Sequence, residues 1–202
     1  DFRSAEKHVS YTYDDDWLDQ LESYSVLDNG VTKTSNISYD NQGNPTRITN
    51  FSYMGTKYNF ATLHWDGREL VNITVYNSSL AVVAEIDYTY NDEGIRIKKV
   101  VDDSLGTTTY DYKLSGSSLV AEIVDNGYNT STGQRTLDYK ILYSYDYDGS
   151  LIGFTLYSQG YTIDYIYVMN QLGDVTHIIT TSGTIAVEYK YDAYGNIVEI
   201  IG

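Results

Sequence analysis

The chain has no cysteine, a single proline and only three histidines in 202 residues. The missing cysteine excludes disulfides and thiolate metal sites. His8, His64 and His177 stand far apart and have no metal-ligand spacing. Positive charge is scarce: 13 basic residues face 28 acidic ones, a formal charge of −15. That balance disfavours nucleic acid and anionic membranes, because phosphate binding needs a basic surface. It suits a self-repelling, solvated surface. No apolar run approaches the roughly 20 residues of a membrane-spanning helix. The opening Asp-Phe-Arg-Ser has neither a hydrophobic leader nor an initiator methionine, so a piece of a longer polypeptide is expected. There is no Gly-x-Ser-x-Gly elbow, phosphate loop or dinucleotide fingerprint. No pair of carboxylates stands out for glycoside hydrolysis. The expectation is a protein that is not an enzyme, with no catalytic residue, metal or cofactor.

What the chain has instead is tyrosine, 23 residues against four phenylalanines and two tryptophans. A tyrosine ring packs on a pleated surface while its hydroxyl stays wet. With abundant Thr, Val and Ile, this predicts an all-β chain. The pattern Tyr-x-Tyr recurs at Tyr11/Tyr13, Tyr88/Tyr90, Tyr110/Tyr112, Tyr143/Tyr145, Tyr165/Tyr167 and Tyr189/Tyr191. A separation of two puts both rings on one strand face. Most pairs run into a polar turn with a glycine: Gly43, Gly67, Gly94, Gly116, Gly149 and Gly195, with Gly173 and Gly183 between the last two. Most units are about 22 to 27 residues apart, the length of two strands and two connections.

The unit has a physical logic. Tyrosine closes the incoming strand, as Tyr39, Tyr90, Tyr145 and Tyr191 do. Asp or Asn then opens the turn, because a short polar side chain bonds the backbone two residues on (Asp40, Asp146, Asp192). Glycine supplies the positive φ of a tight hairpin (Gly43, Gly94, Gly149, Gly195), followed in the last unit by Asn196. Asp28-Asn29-Gly30 and Asp125-Asn126-Gly127 read as further hairpin turns, and Thr181-Ser182-Gly183 as a weaker one. Period-two stripes support the strands. Ile185, Val187, Tyr189 and Tyr191 share a face, as do Tyr139, Ile141, Tyr143 and Tyr145, and Tyr161, Ile163, Tyr165 and Tyr167. One segment is ambiguous, since Trp17, Leu21 and Tyr24 have helical spacing. The repeat argues there for a turn at Asp14–Asp16 and a strand from about Leu18.

The stretches "YDNQGNPTRI" (39–48), "YNDEGIRIKKV" (90–100) and "YDAYGNIVEI" (191–200) resemble the tyrosine-aspartate (YD) repeats of Rhs proteins and their cell-wall-associated relatives. Residues 172–197 resemble the opening of the Rhs repeat-associated core, and "YDYDGSLIGF" (145–154) the segment before it. The resemblance implies an antiparallel hairpin-repeat sheet, one YD-repeat domain over 1–202 that is a segment of a β-shell, with the core opening over 172–202. It implies a structural function, walling in a C-terminal toxin encoded in the same bacterial polypeptide, and a secreted or cell-surface location. The partner would be that enclosed domain, with no nucleic acid and no membrane insertion. Self-association at exposed edge strands is a further expectation.

Other readings are weaker. Asp146-x-Asp148-Gly149 looks like a calcium loop but has Tyr157 where an EF-hand needs glutamate, so a hairpin turn is expected. Asp14, Asp15, Asp16 and Asp19 read as a solvated acidic turn. Trp17 and Trp65 are candidate platforms for stacking a sugar, which makes a carbohydrate- or cell-surface-binding module the alternative function.

Overall fold

The structure, a computed structural model, describes residues 8–28, 30–129, 134–158, 160–192 and 194–202. Among them every regular element is a β-strand. The chain gathers into two compact units, Asp1–Thr107 and Thr108–Gly202.

The first unit contains β1 (His8–Tyr13), β2 (Leu21–Asp28), β3 (Val31–Tyr39), β4 (Pro45–Thr49), β5 (Ser52–Tyr53), β6 (Thr56–Lys57), β7 (Phe60–Asp66), β8 (Glu69–Tyr76), β9 (Val82–Tyr90) and β10 (Arg96–Asp103). Its sheet runs β1-β2-β3-β4-β7-β8-β9-β10, with β5 and β6 apart as a small hairpin. The second unit continues with β11 (Gly106–Ser115), β12 (Ser118–Asn129), β13 (Gln134–Tyr145), β14 (Leu151–Ser158), β15 (Tyr161–Met169), β16 (Val175–Thr180), β17 (Ile185–Tyr191) and β18 (Ile197–Ile201). These pair in chain order, and every pairing is antiparallel. The all-β hairpin sheet expected from the tyrosine pattern is therefore the observed architecture.

The sheet lays down its core in cross-strand rows. Ala61 on β7 faces Val75 on β8, which faces Ala84 on β9; Leu63, Ile73 and Ile86 form the next row. Ala61, Ile73, Val75, Ala84 and Ile86 are buried together. Burying such aliphatic side chains stabilises by about 1.5–3 kcal/mol for each larger one. The cover comes from the β5–β6 hairpin, whose Tyr53, with Phe51 and Tyr58 beside it, packs on this cluster. The Tyr53 hydroxyl donates to the Asp103 carboxylate at 2.5 Å, tying the hairpin to the end of β10. Met54 and Gly55 both take positive φ, the geometry of a two-residue turn whose twist matches the flanking strands.

The predicted turns divide. Gly43, Gly94, Gly149, Gly173 and Gly195 close one form of hairpin. The side chain four positions before the end of the loop (Asp40, Asn91, Asp146, Asn170, Asp192) accepts from the backbone two and four residues on. Thr180 opens a related turn at Gly183. The connection after Tyr76 has the same bonds without a glycine. Asn77 accepts from Ser79 and Ala81, and Leu80 sits at φ +62°. Asp28 pairs with Val31 around Gly30, so the first Asp-Asn-Gly does turn; Asn29 itself lies outside the described residues.

Two expectations are corrected. Asp125-Asn126-Gly127 is not a hairpin turn. Strand β12 runs through it to Asn129, with Asn126 opposite Thr136 and Tyr128 opposite Arg135. Gly127 is thus an extra residue in the ladder, and glycine accommodates such a bulge. The segment after Tyr13 is a turn as far as Gln20, not a helix, and β2 starts at Leu21 rather than Leu18.

A leucine with positive φ costs about 1–2 kcal/mol relative to a compatible residue. Leu80 is 65 % exposed, so it recovers little by packing. Leu80→Gly is therefore expected to raise stability by about 1 kcal/mol in urea unfolding, whereas Gly149→Ala, at φ +81°, lowers it by a similar amount.

Candidate functional site

The tyrosines that end the strands make one recurring bond. Tyr39 donates its hydroxyl to the Leu21 carbonyl at 2.7 Å, Tyr90 to Leu70 at 2.9 Å, Tyr145 to Leu119 at 2.6 Å and Tyr191 to Val175 at 2.6 Å. Trp65 makes the same bond through its indole N–H, to the Pro45 carbonyl at 2.7 Å. In each case a ring at the end of one strand reaches the start of the strand before it. Every accepting residue is paired, across the preceding turn, with the previous strand-ending residue. Leu21 pairs with Tyr13, Pro45 with Tyr39, Leu70 with Trp65, Leu119 with Leu114 and Val175 with Met169. The strand-ending positions are 13, 39, 65, 90, 114, 145, 169 and 191, which defines the repeat structurally. At Leu114 and Met169 the side chain has no donor.

Most of the residues singled out from the sequence lie in these hooks and turns. Tyr39, Tyr90, Tyr145 and Tyr191 are the hooks. Asp40, Asp146 and Asp192 spend their carboxylates on their own loops. Asn196 adds an amide N–H to Asp192 at 2.8 Å. Asp146 is turned onto the backbone N–H groups of Asp148 and Ser150. No group of three or more His, Asp or Glu that could hold a metal occurs among the described residues. Trp65 is half-buried as a hook, while Trp17 is 60 % exposed in the β1–β2 connection.

Trp17 borders a groove of about 520 Å³ whose other walls include Asp14, Asp16, Glu22, Tyr39 and Asp40. A second groove, of about 430 Å³, lies in the second unit between Ile123, Tyr139, Tyr157 and Tyr161. There the Lys140 ammonium stands 4.3 Å from the centre of the Tyr157 ring.

Beside this groove the aromatic face of the second unit carries a carboxylate. Glu122 lies opposite Tyr112 on one side and Ile141 on the other, with Tyr139 and Tyr143 flanking it on β13. Burial, and then the Glu122 charge, push the Tyr143 phenol up to about 12. Burial likewise raises Tyr139, which hydrogen-bonds Glu122, and Tyr167. Such phenols are neutral hydrogen-bond donors at physiological pH, not bases or nucleophiles. Further along, Gly153 lets β14 and β15 approach: a Cβ there would stand 2.2 Å from the Tyr165 carbonyl oxygen. Phe154 then stacks on Tyr165 with ring centres 4.9 Å apart. Gly153 escaped the sequence reading because its φ is ordinary and it ends no strand; an isolated glycine inside an alternating run was the available signal.

No protein-family profile matches the chain, and no curated protein does. Among solved structures the fold is similar to a chain in the crystal structure of TcdB2-TccC3-Cdc42, with TM-score 0.52, 15% identity and 95% of this chain covered. It is also similar to a chain of the Photorhabdus luminescens Tc holotoxin pore carrying a mutated TccC3, with TM-score 0.53, 15% identity and 95% covered. In both, this chain spans 11% of the other's length. The likeness is one of fold.

Removing one hook hydroxyl leaves a carbonyl without its side-chain donor. Tyr145→Phe is expected to cost about 1 kcal/mol, and Met169→Tyr, by supplying a donor toward Leu151, to gain up to about as much, both read by urea unfolding.

The turn aspartates predict an acid limb. Asp40 is held below the usual carboxylate range chiefly by the Asn44 backbone N–H, and Asp192 chiefly by the Asn196 side chain. A depressed folded pKa gives stability that is complete above the unfolded value, about 3.9, and is lost as pH falls through the folded one. Asn77, Asn91 and Asn170 hold the same turns without a charge. Asp40→Asn with Asp192→Asn should therefore leave neutral-pH stability nearly unchanged and flatten its decline below pH 4, followed by circular dichroism against pH.

Proposed function

We propose that the chain is a wall segment of a YD-repeat β-shell, with a structural rather than enzymatic role. The observation that carries this reading is the hook ladder. It stitches hairpin to hairpin at a regular step, which suits a sheet that grows by repetition. The YD-like stretches at 39–48, 90–100 and 191–200 support it, as does the fold likeness to chains of toxin assemblies. In this reading the shell encloses a toxin domain of its own polypeptide, and the protein works outside the cell that makes it, secreted or at the cell surface. The net charge of −15 would suit a basic cargo on the lumenal side or solubility on the other.

Limited proteolysis of the native polypeptide that carries this chain tests the proposal. The enclosed segment should resist cleavage until denaturant unfolds the sheet, and the double variant Tyr145→Phe, Tyr191→Phe should lower that threshold. Cleavage at equal rates with the sheet folded and unfolded would overturn the shell.

The groove beside Trp17 favours a second reading, a carbohydrate-binding module. An exposed indole offers a face for a sugar ring, and Asp14, Asp16 and Glu22 offer acceptors for its hydroxyls. A glycan array discriminates. Binding that Trp17→Ala abolishes supports this module; a blank array removes it.

A further inference from the structure

One carboxylate stands alone on an aromatic surface of the second unit. The register sets Tyr112, Glu122, Ile141, Leu156 and Ile163 in one cross-strand row. The row on one side runs from Tyr110 through Val124, Tyr139 and Ser158 to Tyr161, and the row on the other holds Tyr143, Phe154, Tyr165 and Thr180. Of the side chains in these three rows only Glu122 is charged. Asp111 and Lys140 fall opposite Ile123, and Lys113 opposite Ala121, which puts all three on the other face. Glu122 is half-buried and accepts from the Tyr139 hydroxyl. A phenol neutralises no charge, and an ionised carboxylate accepts at about four positions. The tyrosine pair Tyr88/Tyr90 of the first unit is supplied differently. Lys99 lies opposite Tyr88, and the Arg96 guanidinium stands 5.1 Å from the centre of its ring. The surface around Glu122 has the anion and the rings that receive a cation, and no lysine or arginine in its rows.

We propose that this face binds a polypeptide segment in which one lysine or arginine stands among apolar residues, its cationic group bonded to Glu122 and lying against the rings of Tyr112 and Tyr143. Charge complementarity selects that partner. A single anion set in uncharged rows calls for a single cation with apolar neighbours; a polybasic segment would leave its other charges on aromatic and aliphatic side chains, away from water. Tyr112 lies directly opposite Glu122, and Tyr143 is its diagonal neighbour through Ile141, both within reach of a long side chain. A cation between a carboxylate and ring faces gains from both. Tyr139, which donates to Glu122, also lines the groove of about 430 Å³, so an apolar side chain beside the basic one has a place to enter. The net charge of −15 draws such a segment in, and Glu122 decides where its basic group rests. The site stands whether or not the sheet is a shell wall.

The test titrates the full chain into a dansyl-labelled Leu-Lys-Leu amide and follows fluorescence anisotropy. Saturable binding is expected, with none for the Leu-Gln-Leu amide. Glu122→Gln keeps the shape and should weaken binding about tenfold, the effect of losing one charge-assisted hydrogen bond. Glu188→Gln removes the same charge from the opposite face, since Glu188 adjoins Val187, which pairs through Ile178 to Tyr167. It should leave binding nearly unchanged. Tyr112→Leu keeps the carboxylate and should weaken binding about threefold through the lost ring. Carbodiimide coupling should join the amine of the probe to Glu122, read by mass spectrometry of the digested chain. Unchanged far-UV circular dichroism shows that each variant is folded. The absence of saturable binding overturns the proposal. So does binding that falls equally with Glu122→Gln and Glu188→Gln, because attraction to net charge alone then accounts for it.

Discussion

A phenol hydroxyl bonded to a backbone carbonyl one strand away is the constraint on which the rest of this sheet depends. Antiparallel strands with two partly wet faces specify their register poorly, since a slip of one residue exchanges faces at little cost. Where it is present, the hook removes that freedom at one end of a hairpin pair. The ring spans to the preceding strand, and its hydroxyl reaches one carbonyl only when the register is right. Phenylalanine could pack but not report register, and serine could bond but not pack. The excess of tyrosine over phenylalanine follows from needing both in one side chain.

The Asx turn does the same for the chain reversal. Its carboxylate or amide oxygen gathers backbone N–H groups that a tight loop would otherwise leave to water, and the glycine supplies the positive φ that lets the next strand start in phase. Hook and turn are adjacent residues, so a single short motif fixes both where a strand ends and where it docks. The motif tolerates substitution where one of its two tasks can be dropped. Met169 keeps the strand-ending place and loses the bond; Asn91 keeps the bonds of Asp40 and loses the charge; Leu80 keeps the reversal and accepts the strain.

This division explains what could be read from the residues and what could not. Strands, faces and glycine turns follow from local alternation and local backbone preference, so the hairpin architecture was legible. The place of Trp65 was not. A tryptophan beside Asp66 and Gly67 carries the turn signal, but that its indole replaces a phenol depends on the Pro45 carbonyl 20 residues away. Asp125-Asn126-Gly127 has the local chemistry of a reversal, and the longer pairing of β12 with β13 overrides it. The β5–β6 cover was hidden for a similar reason. Its turn, Met54-Gly55, is weak in sequence, and it is held by a core row and by Asp103, contacts far away along the chain. What sequence conceals here is long-range satisfaction of polar and apolar groups.

Other polar groups are bonded within their own neighbourhood too. The turn aspartates accept from the N–H groups of their own loops, and burial raises the Tyr88, Tyr143 and Tyr167 phenols, with the Glu122 charge adding to it at Tyr143. Groups bonded in this way stabilise the loops and strands that hold them. The commitment is also directional, since every hook points from the end of one strand to the start of the strand before it. A sheet built from such units keeps a donor edge and an acceptor edge however many hairpins it has. Those donors and acceptors set which strand can be added next to another, and in which register.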